Sequence, residues 1–329
     1  MTERVLSIRD LTVEFATPAG TVHAVNEVSF DIHAGEVVGV VGESGGGKTV
    51  TMLACLRLLP EPPARIVGGE VWFRERDLLR LPRRQLRRVR GRDIGMVFQD
   101  PLTSLHPAFR VGQQIAEALL VHDTGLSRRA ADTRAVELLE LVGVPRPATR
   151  AREHPHQWSG GMRQRAAIAI AIANSPAVLI ADEPTTALDV TIQAQVLDVL
   201  RTAGSETGAA TILVTHDLGV IAELADRVVV MYAGRVVETG PVADLFRHPR
   251  HPYTAGLLAG VPRLDEGVRH VDPIPGQPPT LLELPAGCCF AARCPRRAGR
   301  ERCVAQLPAL APGSGHRAAC HFVDEGDGT

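Results

Sequence analysis

This chain predicts an α/β fold built on a mostly parallel sheet, and three observations predict it. The segment Gly42-Glu43-Ser44-Gly45-Gly46-Gly47-Lys48-Thr49 fits the phosphate-loop pattern G-x-x-x-x-G-K-[ST]. It stands between an apolar strand-like run, Val37 to Val41, and a run from Thr49 that can open a helix. From Val178 to Met231 short apolar runs alternate with helical ones, as parallel strands covered on both faces require. Between these regions, about residues 111 to 173, apolar residues recur at helical spacing and read as a helical insertion.

Taken in order, Val5 to Ile8, Leu11 to Phe15 and Ala24 to Ile32 read as strands, punctuated by Pro18-Ala19-Gly20 and Ala34-Gly35. In the phosphate loop, glycines let backbone N–H groups turn toward an anion, and the following helix N-terminus adds its dipole. Lys48 is the one lysine in a chain whose other cations are all arginine. Its compact ammonium suits a tight backbone cradle better than a guanidinium fork does. Lys48 would reach the β- and γ-phosphates, and the Thr49 hydroxyl would bind Mg²⁺.

Glu70 to Phe73 reads as a strand. The basic run Arg80 to Arg92 reads as a solvated helix face, because no aromatic residues interleave with its arginines. Ile115 to Leu120 and Ala135 to Val142 are helical, the latter ended by Gly143. Ser159 caps a further helix, and Gly160-Gly161 expose its first N–H groups to an anion. Val178 to Ile180, Thr211 to Val214 and Val228 to Met231 are strands; Ile192 to Leu200 and Leu218 to Leu224 are helices. The first of those strands runs into Asp182-Glu183-Pro184. In a nucleotidase Asp182 would hold Mg²⁺, and Glu183 would orient or deprotonate the attacking water.

Composition narrows the function classes. The 329 residues carry a net charge of −1, so no global field favours nucleic acid. No run of 18 apolar residues occurs; the most apolar stretch, Ala166 to Ala181, is broken by Asn174, Ser175 and Pro176. The N-terminus lacks a charged-then-apolar leader, and a cytosolic setting with reduced cysteines is expected. Cys55 stands alone and reads as a small buried hydrophobe. Cys288, Cys289, Cys294, Cys303 and Cys320 fall in the last 42 residues, after a proline-rich stretch from about Gly260. Cys288, Cys294, Cys303 and Cys320 lack the close pairs of common zinc sites and the spacing of ferredoxins. Iron–sulfur, zinc and free thiols all remain open for them, with Cys289 a spare and His316 and His321 read as loop histidines that could replace a thiolate.

Together, Gly42 to Thr49, Ser159-Gly160-Gly161-Met162-Arg163-Gln164, Asp182-Glu183-Pro184, Ala187-Leu188-Asp189 and Thr215-His216-Asp217 resemble the nucleotide-binding subunit of an ATP-binding cassette (ABC) transporter. The resemblance implies a P-loop cassette over residues 1–259: a mostly parallel core, an antiparallel N-terminal β subdomain and a helical subdomain at about 100–175. A cysteine-rich extension would occupy residues 260–329. By the same resemblance Glu183, His216 and Gln99 are catalytic, with Gln99 sensing Mg²⁺ and water and His216 touching the γ-phosphate. Thr49, Gln99 and Asp182 would serve Mg²⁺. Phe15 would stack on adenine, while Gly42, Ser44, Gly45, Gly46, Gly47, Lys48, Thr49, Ser159, Gly160, Gly161 and Asp189 would bind ATP. The family usually has leucine where this chain has Trp158, which is expected to pack beside the anion site.

Within the family, Val41 to Gly45, Phe98 to Pro107 and His248 to Thr254 are most similar to ATPases of oligopeptide and dipeptide importers; nickel and glutathione importers share these segments. That likeness implies a [4Fe–4S] cluster on Cys288, Cys294, Cys303 and Cys320, with zinc the alternative. It also implies a second, related ATPase as dimer partner, two transmembrane permease subunits, an extracytoplasmic substrate-binding protein and a place at the cytoplasmic face of the membrane. The rivals are a soluble ABC ATPase of repair or translation, which would bring coiled coils or a second phosphate loop, and a redox-sensing switch.

Overall fold

Two long strands open the chain, both with buried runs: Val5 to Ile8 in the first and Ala24 to Asn26 in the second. They are β1 (Arg4–Thr17) and β2 (Gly20–His33), and they extend the predicted runs across the turn at Pro18-Ala19. The computed structural model describes residues 3–100, 104–186, 188–260, 274–297, 299–310 and 315–323. Pro101, Leu102, Thr103, Ala187, Pro262 and Pro273, which belong to the motifs and linker above, lie outside the described residues. After β2 come β3 (Val37–Val41), α1 (Lys48–Cys55), β4 (Ala64–Phe73), β5 (Arg76–Asp77), α2 (Arg83–Val89) and β6 (Ile94–Val97). The helical stretch contains α3 (Val111–Leu120), α4 (Arg128–Leu141), α5 (Pro147–Arg150) and α6 (Gly160–Ile172). Then follow β7 (Val178–Asp182), α7 (Val190–Thr207), β8 (Ala210–Val214), α8 (Leu218–Leu224), β9 (Arg227–Tyr232) and β10 (Arg235–Pro241). The chain ends with α9 (Val242–Arg247), α10 (Pro252–Ala259), α11 (Arg302–Ala305) and β11 (Arg317–Ala318).

The chain divides into two compact units. The first comprises Met1–Leu6, Ile32–Glu36 and Arg80–Val214. Its strands β6, β7 and β8 pair in parallel, with Met96 opposite Ile180 and Ile180 opposite Ile212. Both β7 and β8 are buried along their whole length, which is why they read as unbroken apolar runs. Helix α2 turns Leu86 and Val89 inward and leaves its arginines in water, as predicted for the basic run. Ser127 and Ser159 cap α4 and α6 by accepting from the N–H groups of Ala130 and Met162.

The second unit comprises Ser7–Asp31, Val37–Leu79 and Thr215–Thr329. One sheet has the order β2-β1-β4-β5. In the other, β3 runs parallel to β9, while β10 pairs antiparallel with both β9 and the short β11. The cysteine-bearing extension thus adds a strand beside β10, with Glu238 opposite Ala318. It is held further by the Ala319 N–H on the Val237 carbonyl at 2.8 Å.

Candidate functional site

In the second unit β3 delivers the chain into the phosphate loop. Gly42 has φ +150°, and a Cβ there would stand 2.1 Å from the Met231 carbonyl oxygen on β9; only glycine fits. Lys48 is 5 % exposed. Its Nζ donates to the carbonyls of Gly42 at 2.8 Å and Glu43 at 3.0 Å. The Gly46 N–H also donates to the Glu43 carbonyl, and Thr51 Oγ1 donates to the Gly47 carbonyl. The loop is therefore wound on its own backbone, with the ammonium parked at its rim. Ser44 and Gly45 are exposed, and Thr49 and Phe15 are half-buried. In the same unit His216 is exposed just after the buried Thr215. Asp217 caps α8 by accepting from the N–H groups of Gly219 and Val220.

The first unit assembles the other predicted residues around the end of β7. Asp182 is 2 % exposed. Glu183 follows it with φ +45°, a left-handed conformation that costs a non-glycine residue energy and that clusters at functional sites. One oxygen of its carboxylate, Oε2, accepts from Gln99 Nε2 at 2.9 Å and from Thr186 Oγ1 at 2.9 Å. Its N–H is tied to the Val214 carbonyl at 2.9 Å. The structure therefore brings Gln99 and Glu183 together, and it adds Thr186, whose role sequence reasoning missed. Asp189 spends Oδ1 on the Ile192 N–H as the cap of α7. At the start of α6, a Cβ on Gly161 would come within 2.4 Å of Ile192 Cγ2, so this glycine is needed for packing as well as for open N–H groups. Trp158 is 3 % exposed and donates from Nε1 to Glu153 Oε2 at 3.0 Å; its indole is a packing element.

The extension returns to the phosphate loop. Arg293, 5 % exposed at its side chain, forms a bidentate pair with Glu43: NH1 to Oε2 at 2.8 Å and NH2 to Oε1 at 2.9 Å. Those bonds push its pKa further above the ordinary arginine value. The Glu43 N–H donates to Tyr253 Oη at 2.8 Å; burial raises the pKa of that phenol. Phe290 packs edge-on against Tyr232 and tilted against Tyr253. Nothing in the sequence signalled the Glu43–Arg293 pair, whose members lie 250 residues apart.

Cys288, Cys294, Cys303 and Cys320 line one small, mainly apolar pocket together with His251 and Phe290. All four are free thiols. Burial pushes the Cys288 thiol up to about 12, and the nearby Cys289, Cys294 and Cys320 add to the shift. Cys289 does not line this pocket; it borders a neighbouring cavity with Arg235 and Arg317. His251 Nδ1 accepts the Tyr253 N–H at 3.1 Å, which puts the proton of the neutral ring on Nε2. That buried Nε2 has no hydrogen-bond partner among the described residues. Burial and the Arg296 charge lower the pKa of His251 to about 3, so the ring is neutral at physiological pH. His316 bonds Glu238 at 2.6 Å and His321 bonds the Gln306 carbonyl at 2.9 Å; both rings spend Nε2 elsewhere. Among the described residues no three His, Cys, Asp or Glu side chains lie close enough to grip one metal ion.

Comparison with known proteins agrees with this architecture. Residues 25–186 match the family model described as ABC transporter, and residues 237–303 match the one described as Oligopeptide/dipeptide transporter, C-terminal region. The chain is 52 % identical over 295 residues to the dipeptide transport ATP-binding protein DppD of Bacillus subtilis (strain 168), covering 90 % of this chain and 88 % of that one. It is 51 % identical to the oligopeptide transport ATP-binding protein OppD of the same organism, covering 88 % and 81 %. Among solved structures, the dimeric bacterial ABC transporter cassette MJ0796 superposes with a TM-score of 0.65 at 28 % identity, covering 72 % of this chain and 98 % of that one.

Proposed function

The chain is an ATPase belonging to the ABC transporter family, and from that premise we propose that it energises the import of oligopeptides or dipeptides across a membrane. One observation supports the hydrolytic roles best: Gln99 and Thr186 converge on one oxygen of Glu183 at the end of a buried strand. A carboxylate held this way has a fixed orientation toward an attacking water. Lys48 would bind the β- and γ-phosphates, and the loop backbone, exposed at Ser44 and Gly45, would wrap them. Thr49, Asp182 and Gln99 offer the hard oxygen donors that Mg²⁺ takes; the ion would neutralise charge on the phosphates. Ser159, Gly160, Gly161 and Asp189 would complete the nucleotide site of a partner cassette, and His216 and Phe15 would contact γ-phosphate and adenine. Peptide as cargo, rather than nickel or glutathione, is supported by the relatives' names and the C-terminal match.

No helix among the described residues is long and apolar enough to cross a membrane. From the likeness to peptide-transport ATP-binding proteins we propose a place at the cytoplasmic face, bound to two permease subunits, with a related second ATPase and an extracytoplasmic binding protein. The test is Glu183→Gln in the assembled importer. ATP binding should persist while turnover falls about 10²- to 10⁴-fold. Hydrolysis at the parent rate would sink the assignment.

For the extension we propose a [4Fe–4S] cluster on Cys288, Cys294, Cys303 and Cys320. Four thiols on one pocket, with a neutral imidazole N–H among its lining residues, suit a bound anionic cluster. Bound there, the cluster would contribute folding energy to a segment with few apolar residues. Anaerobically purified protein should carry iron and acid-labile sulfide near four each per chain. Serine at any of the four should remove them, and Cys289→Ser should not. Colourless protein with one zinc per chain would replace the cluster by a zinc staple.

A further inference from the structure

Every polar group of Glu43 is engaged. Its carbonyl receives the Lys48 ammonium at 3.0 Å and the Gly46 N–H at 3.1 Å. Its N–H is satisfied by Tyr253 Oη at 2.8 Å. Its carboxylate takes the two parallel bonds from Arg293. Arg293 is itself immobilised: NH1 also reaches Tyr232 Oη at 3.2 Å, NH2 the Ile274 carbonyl at 3.1 Å, and Nε the Pro275 carbonyl at 3.0 Å. With all three nitrogens bonded in a side chain 5 % exposed, the guanidinium has one orientation. A planar fork on a carboxylate then fixes the direction of Glu43 as well as its position.

We propose that Arg293 is a positioning residue for nucleotide binding: it holds Glu43 from the extension, and Glu43 holds the first turn of the phosphate loop and the resting place of Lys48. The proposal rests on Lys48 being the phosphate-binding lysine. Its physical content is preorganisation. A loop that must present several N–H groups to an anion binds more tightly when its backbone is already in place. Glu43 sits at the mouth of that loop, where the backbone leaves β3. Cutting its outer tether lets both the carbonyl and the ammonium wander, and displacements of about 1 Å at such sites cost as much as 10²-fold. The pairing also makes the extension a working part of the nucleotide site, through a residue directly preceding Cys294.

The competing account is that Arg293 only staples the extension to the cassette. Four variants of the full chain separate the two: Arg293→Ala, Arg293→Lys, Glu43→Gln and the Arg293→Ala/Glu43→Gln double, with Lys48→Ala as reference. Binding of a fluorescent ATP analogue is measured on each, and KM and kcat for ATP in the assembled importer. Arg293→Ala and Glu43→Gln should each weaken binding about tenfold, and the double variant should be no weaker than the worse single. Arg293→Lys should fall between, since a point charge restores attraction without the fork. KM should rise more than kcat falls. Arg293→Ala binding within twofold of the parent, while Lys48→Ala abolishes binding, would overturn the proposal and leave the phosphate-loop reading intact. A weak Arg293→Ala beside a parent-like Glu43→Gln would also overturn it, by showing that collapse of the extension is the cause. Lys48→Ala at parent affinity would overturn both.

Discussion

The phosphate loop and the cysteine-bearing extension lie in the same compact unit but are made by opposite means. The loop is specified over eight consecutive residues, and backbone groups and one ammonium do most of its holding: Gly46 N–H on Glu43, Lys48 on Gly42 and Glu43. The extension has little regular structure among its described residues beyond β11, α11 and short 3₁₀ turns. Besides the backbone pairing of β11 with β10, it is placed by side chains that reach far in sequence, namely Arg293 to Glu43, Phe290 to Tyr232 and Tyr253, and Arg250 NH1 to the His316 carbonyl. A local structure survives as a motif and can be read directly. A structure held by distant side chains cannot, yet it can be just as tightly bound to the site.

The strongest test of this contrast is to strike each region at its own kind of joint. Lys48→Ala removes the loop's cation and should reduce ATP hydrolysis by at least about 10²-fold. It should leave the denaturant midpoint almost unchanged, because the ammonium's bonds to the Gly42 and Glu43 carbonyls lie within the loop itself. Phe290→Ala should do the reverse first. The ring is 2 % exposed among Tyr232, Tyr253 and His251, and emptying such a site costs about 3–5 kcal/mol. Urea unfolding should show that loss, and limited proteolysis should cut the extension before the cassette. An unchanged midpoint in Phe290→Ala would break the contrast, since the extension would then be held by something other than its buried side chains.

The same distinction explains what was legible. β3, β7, β8 and β9 were visible because fully buried parallel strands are short unbroken apolar runs. The caps Ser159 and Ser127 sit where hydroxyl residues precede helical periodicity, although only Ser159 was read. β6 was missed: four residues after a basic helix are too few to show a period, and their burial depends on β7 beside them. β10 was missed because its inward residues include Glu238, fully buried and satisfied by His316, Arg250 N–H and His251 N–H. A carboxylate at a core position carries no strand signal. The site divides the same way. Gln99 and Glu183 were named from motifs and do meet. Thr186 and Arg293 contact Glu183 and Glu43 through geometry that motifs do not encode. The nucleotide-motif residues all precede residue 217 in sequence, and chain order conceals the fold-back of Arg293 onto Glu43.

The smallest effect concerns the one cysteine outside the extension. Cys55 ends α1, the helix that begins at Lys48, and is 1 % exposed. Burial raises its thiol pKa to about 12. It should therefore stay unalkylated by iodoacetamide at pH 8 in native protein, while urea-unfolded protein is modified at the ordinary rate, as mass spectrometry of its peptide would show. The sign of the linked pH effect follows. A thiol that is harder to ionise when folded adds stability that is complete below its unfolded pKa near 9. That stability is lost as pH rises from there toward 12, at up to about 1.4 kcal/mol per pH unit. Cys55→Ala should remove that slope from an alkaline unfolding series. If native Cys55 labels as fast as unfolded Cys55, the helix behind the phosphate loop opens readily. The loop's rigidity would then depend on the Glu43 tether more than on its own backbone.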